Sequence, residues 1–255
     1  MDEVRVVVAH QERATLRVGD VFLKIDADQA NTDREVDAMA LAPLPTPEVL
    51  WHNPPVIALA ALPGVALGRL GERSAASREA WVATGAAVRV LHDAPLPPWA
   101  AKARDDYHRL DSECDWLLRN GVVPPAVVAY NRDNAQTAFR HFTPVFAHGD
   151  LQVDHVFVDG DVVTGVIDWS EGGPGDPMFD LATLTMGHPE HLDDVIAGYG
   201  AGTDRTVIGA WWSLRSLLNI RWLIEHGFDP SLPGCEIDVL TAQMTGRGIT
   251  DSDAP

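Results

Sequence analysis

Cysteine is scarce in this chain. The 255 residues hold two, Cys114 and Cys235, in no CxxC or other metal-ligand spacing. That argues against a disulfide framework or a thiolate metal site and for reduced thiols in a cytoplasmic protein. Positive charge is also short: 19 Lys and Arg against 37 Asp and Glu give a formal net charge of −18. A strongly acidic surface argues against nucleic acid or an anionic membrane as partner. It keeps a protein soluble and attracts a cationic small molecule. Long apolar runs are missing too. The longest, residues 56–68, is interrupted by Pro63 and too short to span a bilayer, so no membrane partner is expected. The opening Met1-Asp2-Glu3 has the wrong charge for a signal peptide. There is no internal repeat and no long low-complexity tract. Residues 245–255, rich in Gly, Asp and Thr, are expected to fray.

What is present is a strand-rich start and a helix-rich remainder. Residues 4–9, 14–18 and 21–25 read as strands rich in β-branched side chains, with Gly19-Asp20 as a hairpin turn. Residues 30–41 read as a helix with Asn31 and Thr32 as candidate N-caps, ended by prolines at 43, 45 and 47. Strand returns near 48–50 and over 56–62, where Pro63-Gly64 closes it. From residue 76 the apolar period becomes helical: 78–91, 101–119 and 124–131 come first. A hairpin over 155–168 follows, then helices at 191–199, 205–226 and 237–244. This order predicts an α+β chain of two lobes. Residues 1–66 form a small β-rich N-lobe, and residues 67–255 a larger, mainly helical C-lobe.

The chemistry concentrates in residues 146–182, FAHGDLQVDHVFVDGDVVTGVIDWSEGGPGDPMFDLA. His148-Gly149-Asp150 is followed five residues later by His155, then by a strand–turn–strand ending in Ile167-Asp168-Trp169. Two carboxylates at strand edges, joined by a hairpin, suit metal-assisted phosphoryl transfer. One orients or accepts the proton of an attacking hydroxyl; the other holds the ion that neutralises charge on the phosphate. Four spaced elements agree: HGDL, a His after three intervening residues, a hydrophobic-IDW strand end, and GDPxxDLA. Together they resemble the aminoglycoside phosphotransferase superfamily. That group is similar to protein kinases in fold and includes choline-kinase-like and macrolide-phosphorylating enzymes.

The resemblance implies a bilobal protein-kinase-like fold. It implies transfer of phosphate from ATP or GTP, with Mg2+ or Mn2+, to a hydroxyl of a small molecule such as an aminoglycoside or macrolide-like antibiotic. Three strands, a helix and two strands match the kinase N-lobe order. Asp150 corresponds to the proton-accepting aspartate and Asp168 to the metal-binding one. His155 stands where many members carry asparagine. It either ligates the metal, which favours Mn2+ over Mg2+ relative to an Asn site, or hydrogen-bonds a metal water or Asp168. Lys24 resembles the lysine on the α/β phosphates and Glu35 its ion-pair partner, with Asp33 and Asp37 as competitors for that role.

Further roles follow from the same resemblance. Gln152 is placed to touch the transferred phosphate, and backbone groups near Ala58 and Ala60 to hold the base. The phosphate-covering turn, residues 10–13, has no glycine, which puts nucleotide affinity in question. His148 and Asp180 are expected to brace the catalytic loop, and Asp176 to cap the helix starting at Pro177. Substrate contacts are expected from Glu171, Arg215 and Glu225. Three other readings stay open: a metabolic kinase for an amino sugar or amino alcohol, a non-catalytic nucleotide-binding module, and a metallohydrolase clustering His148, Asp150, His155 and Asp168.

Overall fold

The structure is a computed structural model that describes residues 3–9, 13–101 and 106–246. β1 (Val4–Ala9), β2 (Arg13–Val18) and β3 (Val21–Asp26) form the predicted meander. The two-residue Gly19-Asp20 turn pairs Val18 with Val21, and that register carries Thr15 opposite Lys24 and Arg13 opposite Asp26. β4 (Val49–Asn53) and β5 (Val56–Ala60) complete an antiparallel sheet of order β1-β2-β3-β5-β4. Helix α1 (Gln29–Leu41) crosses between β3 and β4. Its N-cap is Asp28, not Asn31 or Thr32: the Asp28 carboxylate accepts the Ala30 N–H at 2.9 Å. Asn31 and Thr32 fall inside the first turn, where their side chains donate to Asp26 and to the Gln29 carbonyl.

β6 (Val65–Ala66) hydrogen-bonds to β8 (Val156–Asp159), which pairs in turn with β9 (Val162–Val166). Residues 65 and 66 therefore side with the larger lobe by hydrogen bonding, just inside the boundary expected at 66. β7 (Val145–Ala147) and β10 (Gly173–Gly175) form a two-stranded ribbon that flanks the motif region. β6, β7 and β10 carry too few residues for a period-2 pattern to show in the sequence.

The rest is helical: α2 (Arg78–His92), α3 (Asp106–Arg119), α4 (Pro125–Ala135), α5 (Pro177–Thr185), α6 (Leu192–Tyr199), α7 (Arg205–Glu225) and α8 (Glu236–Thr245). Of the helix expected from residue 101, Asp106–Arg119 is described, and residues 102–105 lie outside the described ones. α7 is the axis of this lobe and packs against α3, α4, α5 and α8. It buries Ile208, Leu214, Leu217 and Ile220 completely. Buried indoles need partners for their N–H groups; Trp212 donates to the Ala182 carbonyl at 2.8 Å and Trp211 to Asp176 at 2.7 Å. α2 and α6 meet backbone to backbone. A Cβ on Gly198 would lie 1.8 Å from the Val82 carbonyl oxygen, and one on Gly85 2.1 Å from that of Val195. Among the described residues no helix is long and apolar enough to cross a membrane.

Candidate active site

The motif loop hangs from one buried carboxylate. Asp180, in the first turn of α5, accepts the backbone N–H groups of His148 at 2.7 Å and Gly149 at 2.9 Å, and faces His92 Nε2 at 3.2 Å. Burial alone would raise its pKa, but these donors and His92 hold it below the ordinary carboxylate range. His148 is fully buried and kept neutral by burial. Its Nε2–H donates to the Ile167 carbonyl at 2.9 Å, and its Nδ1 accepts the Asp150 N–H at 3.3 Å. One ring thus ties the Asp150 loop to the strand end that presents Asp168. Gly149 adopts φ +82°, and a Cβ there would lie 2.5 Å from the Glu171 carbonyl oxygen, so no other residue fits without shifting the loop. Asp176 caps α5 through the Met178 N–H at 3.0 Å and receives both Arg140 nitrogens at 2.7 and 3.1 Å, which makes it structural as expected.

Asp150 leaves this loop with a cation on one oxygen and an amide on the other. Arg215 Nη2 donates to Oδ1 at 2.9 Å and Gln152 Nε2 to Oδ2 at 3.0 Å. Burial would raise the Asp150 pKa, but the positive charge of Arg215, with His155 behind it, outweighs that and lowers it.

Asp168 is the electrostatic centre. Among the described residues it is the non-glycine residue with positive φ, at 65°. Aspartate tolerates this left-handed geometry better than most residues. Trp169 then turns inward, fully buried, with its N–H on the Val166 carbonyl at 2.8 Å. Lys24 Nζ lies 3.0 Å from Asp168 Oδ1 and 2.6 and 2.7 Å from the two oxygens of Glu35. Glu35, 2 % exposed, takes the partner role, whereas Asp33 faces His52 and Asp37 points to solvent. Arg13 Nη1 sits 3.3 and 3.4 Å from the two Asp168 oxygens. Burial works against the Asp168 charge, yet Lys24, His155 and Arg13 together hold its pKa far below the usual carboxylate range.

His155 completes the cluster. Its Nδ1–H donates to the Asp150 carbonyl at 2.8 Å, which turns Nε2 toward Asp168 Oδ2, 3.9 Å away. A histidine that donates from one nitrogen to a backbone carbonyl presents the other as a ligand. His155 and Asp168 therefore fit a divalent cation that takes its remaining ligands from phosphate and water. Among the described residues no three His, Cys, Asp or Glu side chains converge on one metal position. That removes the support for a four-ligand metallohydrolase cluster.

Several expected contacts fall elsewhere. Ala58 and Ala60 lie in β5, which is paired on both edges, and the Ala60 N–H already donates to the Glu48 carbonyl at 2.9 Å. The Ala60 N–H is therefore spent within the sheet and not available to a base. Gln152 turns onto Asp150 rather than outward to a phosphate. Arg215 holds Asp150. Glu225, ten residues further along α7 and hence about 15 Å along its axis, pairs with Arg221 on the exposed surface. Glu171 does reach the site. With Gly149, Tyr107, Phe139, Arg140 and Trp211 it lines a cavity of about 360 Å3 beside the loop. Of the phosphate-covering turn, residues 10–12 lie outside the described ones, and Arg13 is described. Arg13 and Arg140 also reach the site, and neither is among the residues expected there. For Arg13 the signal existed: the Gly19-Asp20 turn fixes its place opposite Asp26, two residues past Lys24.

Comparison with known proteins agrees with this architecture. Over 74 residues the chain is 38% identical to viomycin phosphotransferase of Streptomyces vinaceus, a match covering 28% of this chain and 26% of that protein. It resembles the solved structure of macrolide 2'-phosphotransferase type I with a TM-score of 0.64 and 19% identity, over 97% of this chain and 91% of that one. It resembles the GDP complex of aminoglycoside 2'-phosphotransferase-IIIa with a TM-score of 0.70 and 13% identity, over 96% and 93%. A choline/ethanolamine kinase family protein from Mesorhizobium loti gives 0.62 and 20%, over 96% and 85%. At these identities the solved structures speak for the bilobal kinase-like fold. The phosphotransferase enzyme family model matches residues 4–214, most of the chain and the site built above up to the residue before Arg215, and the chain belongs to that family.

Proposed function

We propose that this protein transfers the terminal phosphoryl group of ATP or GTP to a hydroxyl of a small molecule, with Mg2+ or Mn2+ as the ion. The observation that carries this reading is the convergence on Asp168. A buried Lys24–Glu35 pair from the N-lobe touches it at 3.0 Å, and the His148 ring ties its strand end to the Asp150 loop. The transition state of phosphoryl transfer is loose, so catalysis is mainly positioning and charge neutralisation. Asp150 orients the acceptor hydroxyl and takes its proton as the bond to phosphorus forms. Its depressed pKa suits a group that stays ionised and orients more than it abstracts. Lys24, fixed by Glu35, neutralises the non-transferred phosphates. His155 and Asp168 would hold the ion, which when bound neutralises charge on the transferred group.

The acceptor belongs in the cavity beside Gly149. Its aromatic wall and Glu171, within a chain of net charge −18, suit an amphiphilic cation. Relatives named for viomycin and for macrolides, and related structures holding kanamycin with GDP or streptomycin with ATP, support an antibiotic acceptor and a purine nucleotide donor. The test is a thermal-shift screen with nucleotides and a panel of antibiotics, amino sugars and amino alcohols, followed by a phosphorylation assay on whatever binds. Product from the wild type and none from Asp150→Ala is the expected result. Equal behaviour of the two across metals and acceptors sinks the reading.

A further inference from the structure

The glycine-free turn leaves a gap in the account of nucleotide binding, and Arg13, the first residue of β2, stands beside it. Its guanidinium is spread over three partners. Nε donates to Asp26 at 3.1 Å, Nη1 straddles the two Asp168 oxygens at 3.3 and 3.4 Å, and Nη2 reaches the Ser170 hydroxyl at 3.2 Å. These contacts differ in quality. Asp26 is held in place by the Asp28 N–H at 2.9 Å and the Asn31 amide at 3.1 Å, and its side chain is 8% exposed. The bond to Asp26 is therefore an anchor. The Asp168 distances lie beyond the ordinary range for N–H···O bonds, and Lys24 is closer to the same carboxylate. That end of the fork is the one that lets go.

Asp168 is meanwhile saturated with positive charge. Lys24 and Arg13 contact Oδ1, Arg13 also spans Oδ2, and His155 Nε2 faces Oδ2 from 3.9 Å. A divalent cation needs a lone pair of this carboxylate. A cationic side chain has to withdraw before the ion enters, and Lys24 is committed to Glu35. Arg13, with 23% of its side chain exposed, is the group free to move.

We propose that Arg13 replaces the missing glycine-lined cover: it rests on Asp168 until a nucleotide polyphosphate draws its guanidinium onto the phosphate oxygens, and this frees Asp168 for the divalent cation. The proposal rests on the phosphotransferase reading of the site. Arginine suits the task because its planar fork binds a carboxylate or a phosphate by the same parallel N–H donors. Pivoting about the fixed Asp26 contact exchanges one anion for the other without moving the backbone. Nucleotide and metal then bind cooperatively, since each removes the obstacle to the other.

The test uses the full chain with Arg13→Ala and Arg13→Lys. Affinity is measured for a fluorescent ATP analogue in EDTA, and for Mn2+ without nucleotide by electron paramagnetic resonance. Circular dichroism reports folding. A charged hydrogen bond is worth about 10-fold or more in affinity. Arg13→Ala is therefore expected to bind metal-free nucleotide about 10-fold more weakly and Mn2+ alone several-fold more tightly than wild type. Arg13→Lys keeps the charge without the fork and falls between. Opposite shifts carry the proposal. Unchanged nucleotide affinity, or a fall in both affinities, overturns it and leaves Arg13 a structural brace. A wild type that binds no nucleotide at all overturns the phosphotransferase reading, and this proposal with it.

Discussion

Arg215 donates from Nη2 to Asp150 Oδ1 at 2.9 Å, so the carboxylate proposed to receive a proton already carries a guanidinium on one oxygen. The two come from different elements, a loop and the middle of α7, sixty-five residues apart. The contact sets both the direction and the basicity of Asp150.

Removing that guanidinium has a signed consequence. In the proposed role Asp150 must be ionised to act, and a lowered pKa keeps it ionised to lower pH. In Arg215→Met burial prevails and the pKa rises. The acid limb of the kcat/KM profile is expected to move to higher pH, and kcat/KM above the limb to fall about 10–100-fold, the worth of one charged hydrogen bond. Stability follows the same sign. A depressed carboxylate pKa stabilises the fold above the unfolded pKa and loses that contribution as pH falls through the folded value, so acid unfolding of the variant begins at higher pH. A pH–rate profile that merely drops without shifting returns Arg215 to a substrate-binding role.

The Lys24–Glu35 pair separates charge neutralisation from packing. Lys24 serves two carboxylates, Glu35 and Asp168, whereas Glu35 is one of two partners of Lys24. Lys24→Met should therefore cost more than Glu35→Gln. Stripping one partner from a buried pair costs about 3–5 kcal/mol; about 1–3 kcal/mol is expected for Glu35→Gln, where Asp168 still balances the ammonium. Burial already pushes the Glu35 pKa up, and with Lys24 gone it rises further. A raised carboxylate pKa means the protonated form is the comfortable one, so the destabilisation of Lys24→Met is expected to shrink as pH falls from 8 to 5. Urea melts at several pH values measure this, and a pH-independent deficit would refute it.

Most of the architecture was legible because its signals are local. The Gly19-Asp20 turn, the prolines after residue 41, the apolar period of 205–226 and the Asp176-Pro177 cap each depend on a few neighbouring residues, and the structure bears each of them out. The site was legible where motif spacing encodes it: Asp150, His155 and Asp168 come together. What was not legible depends on long-range approach. Arg215 is expected at the substrate, but its partner, Asp150, is set by the packing of α7. That β5 is flanked on both edges, by β3 and β4, cannot be read from the strand itself. Nothing local singles out Asp28 as the cap, because Asn31 and Thr32, three and four places on, are also cap-forming residues.

His155 governs metal choice if it ligates directly. Its Nδ1–H is fixed on the Asp150 carbonyl, which leaves Nε2 toward Asp168. Nitrogen suits Mn2+ better than Mg2+, which prefers oxygen. His155→Asn is expected to shift the ratio of Mg2+- to Mn2+-supported kcat/KM toward Mg2+ by several-fold, without a large change in nucleotide affinity in EDTA. An unchanged ratio assigns His155 to a metal-bound water or to Asp168 itself. The shift should not appear in His148→Asn, because His148 is spent on the Ile167 carbonyl and the Asp150 N–H.

Asp180 tests whether the loop is held from below. It is fully buried and bonds two backbone N–H groups and His92. Asp180→Ala strands all three donors in the core, and each buried unsatisfied group costs about 1–3 kcal/mol. A loss of about 3–5 kcal/mol is expected, with water entering the space to recover part of the sum. Asp180→Asn is the sharper variant. Its one carbonyl oxygen can still accept a backbone N–H, but its NH2 faces another donor. It should fold, melt lower than wild type, and lose kcat far more than it raises KM for nucleotide, because Asp150 moves while Lys24 and Asp168 stay. Equal losses in nucleotide affinity and kcat would mean that Asp180 supports the whole cleft rather than the loop. Its depressed pKa adds a sign: wild-type stability from this group persists to below the ordinary carboxylate range and then falls, whereas Asp180→Asn, with nothing to titrate there, shows a flatter acid limb of stability.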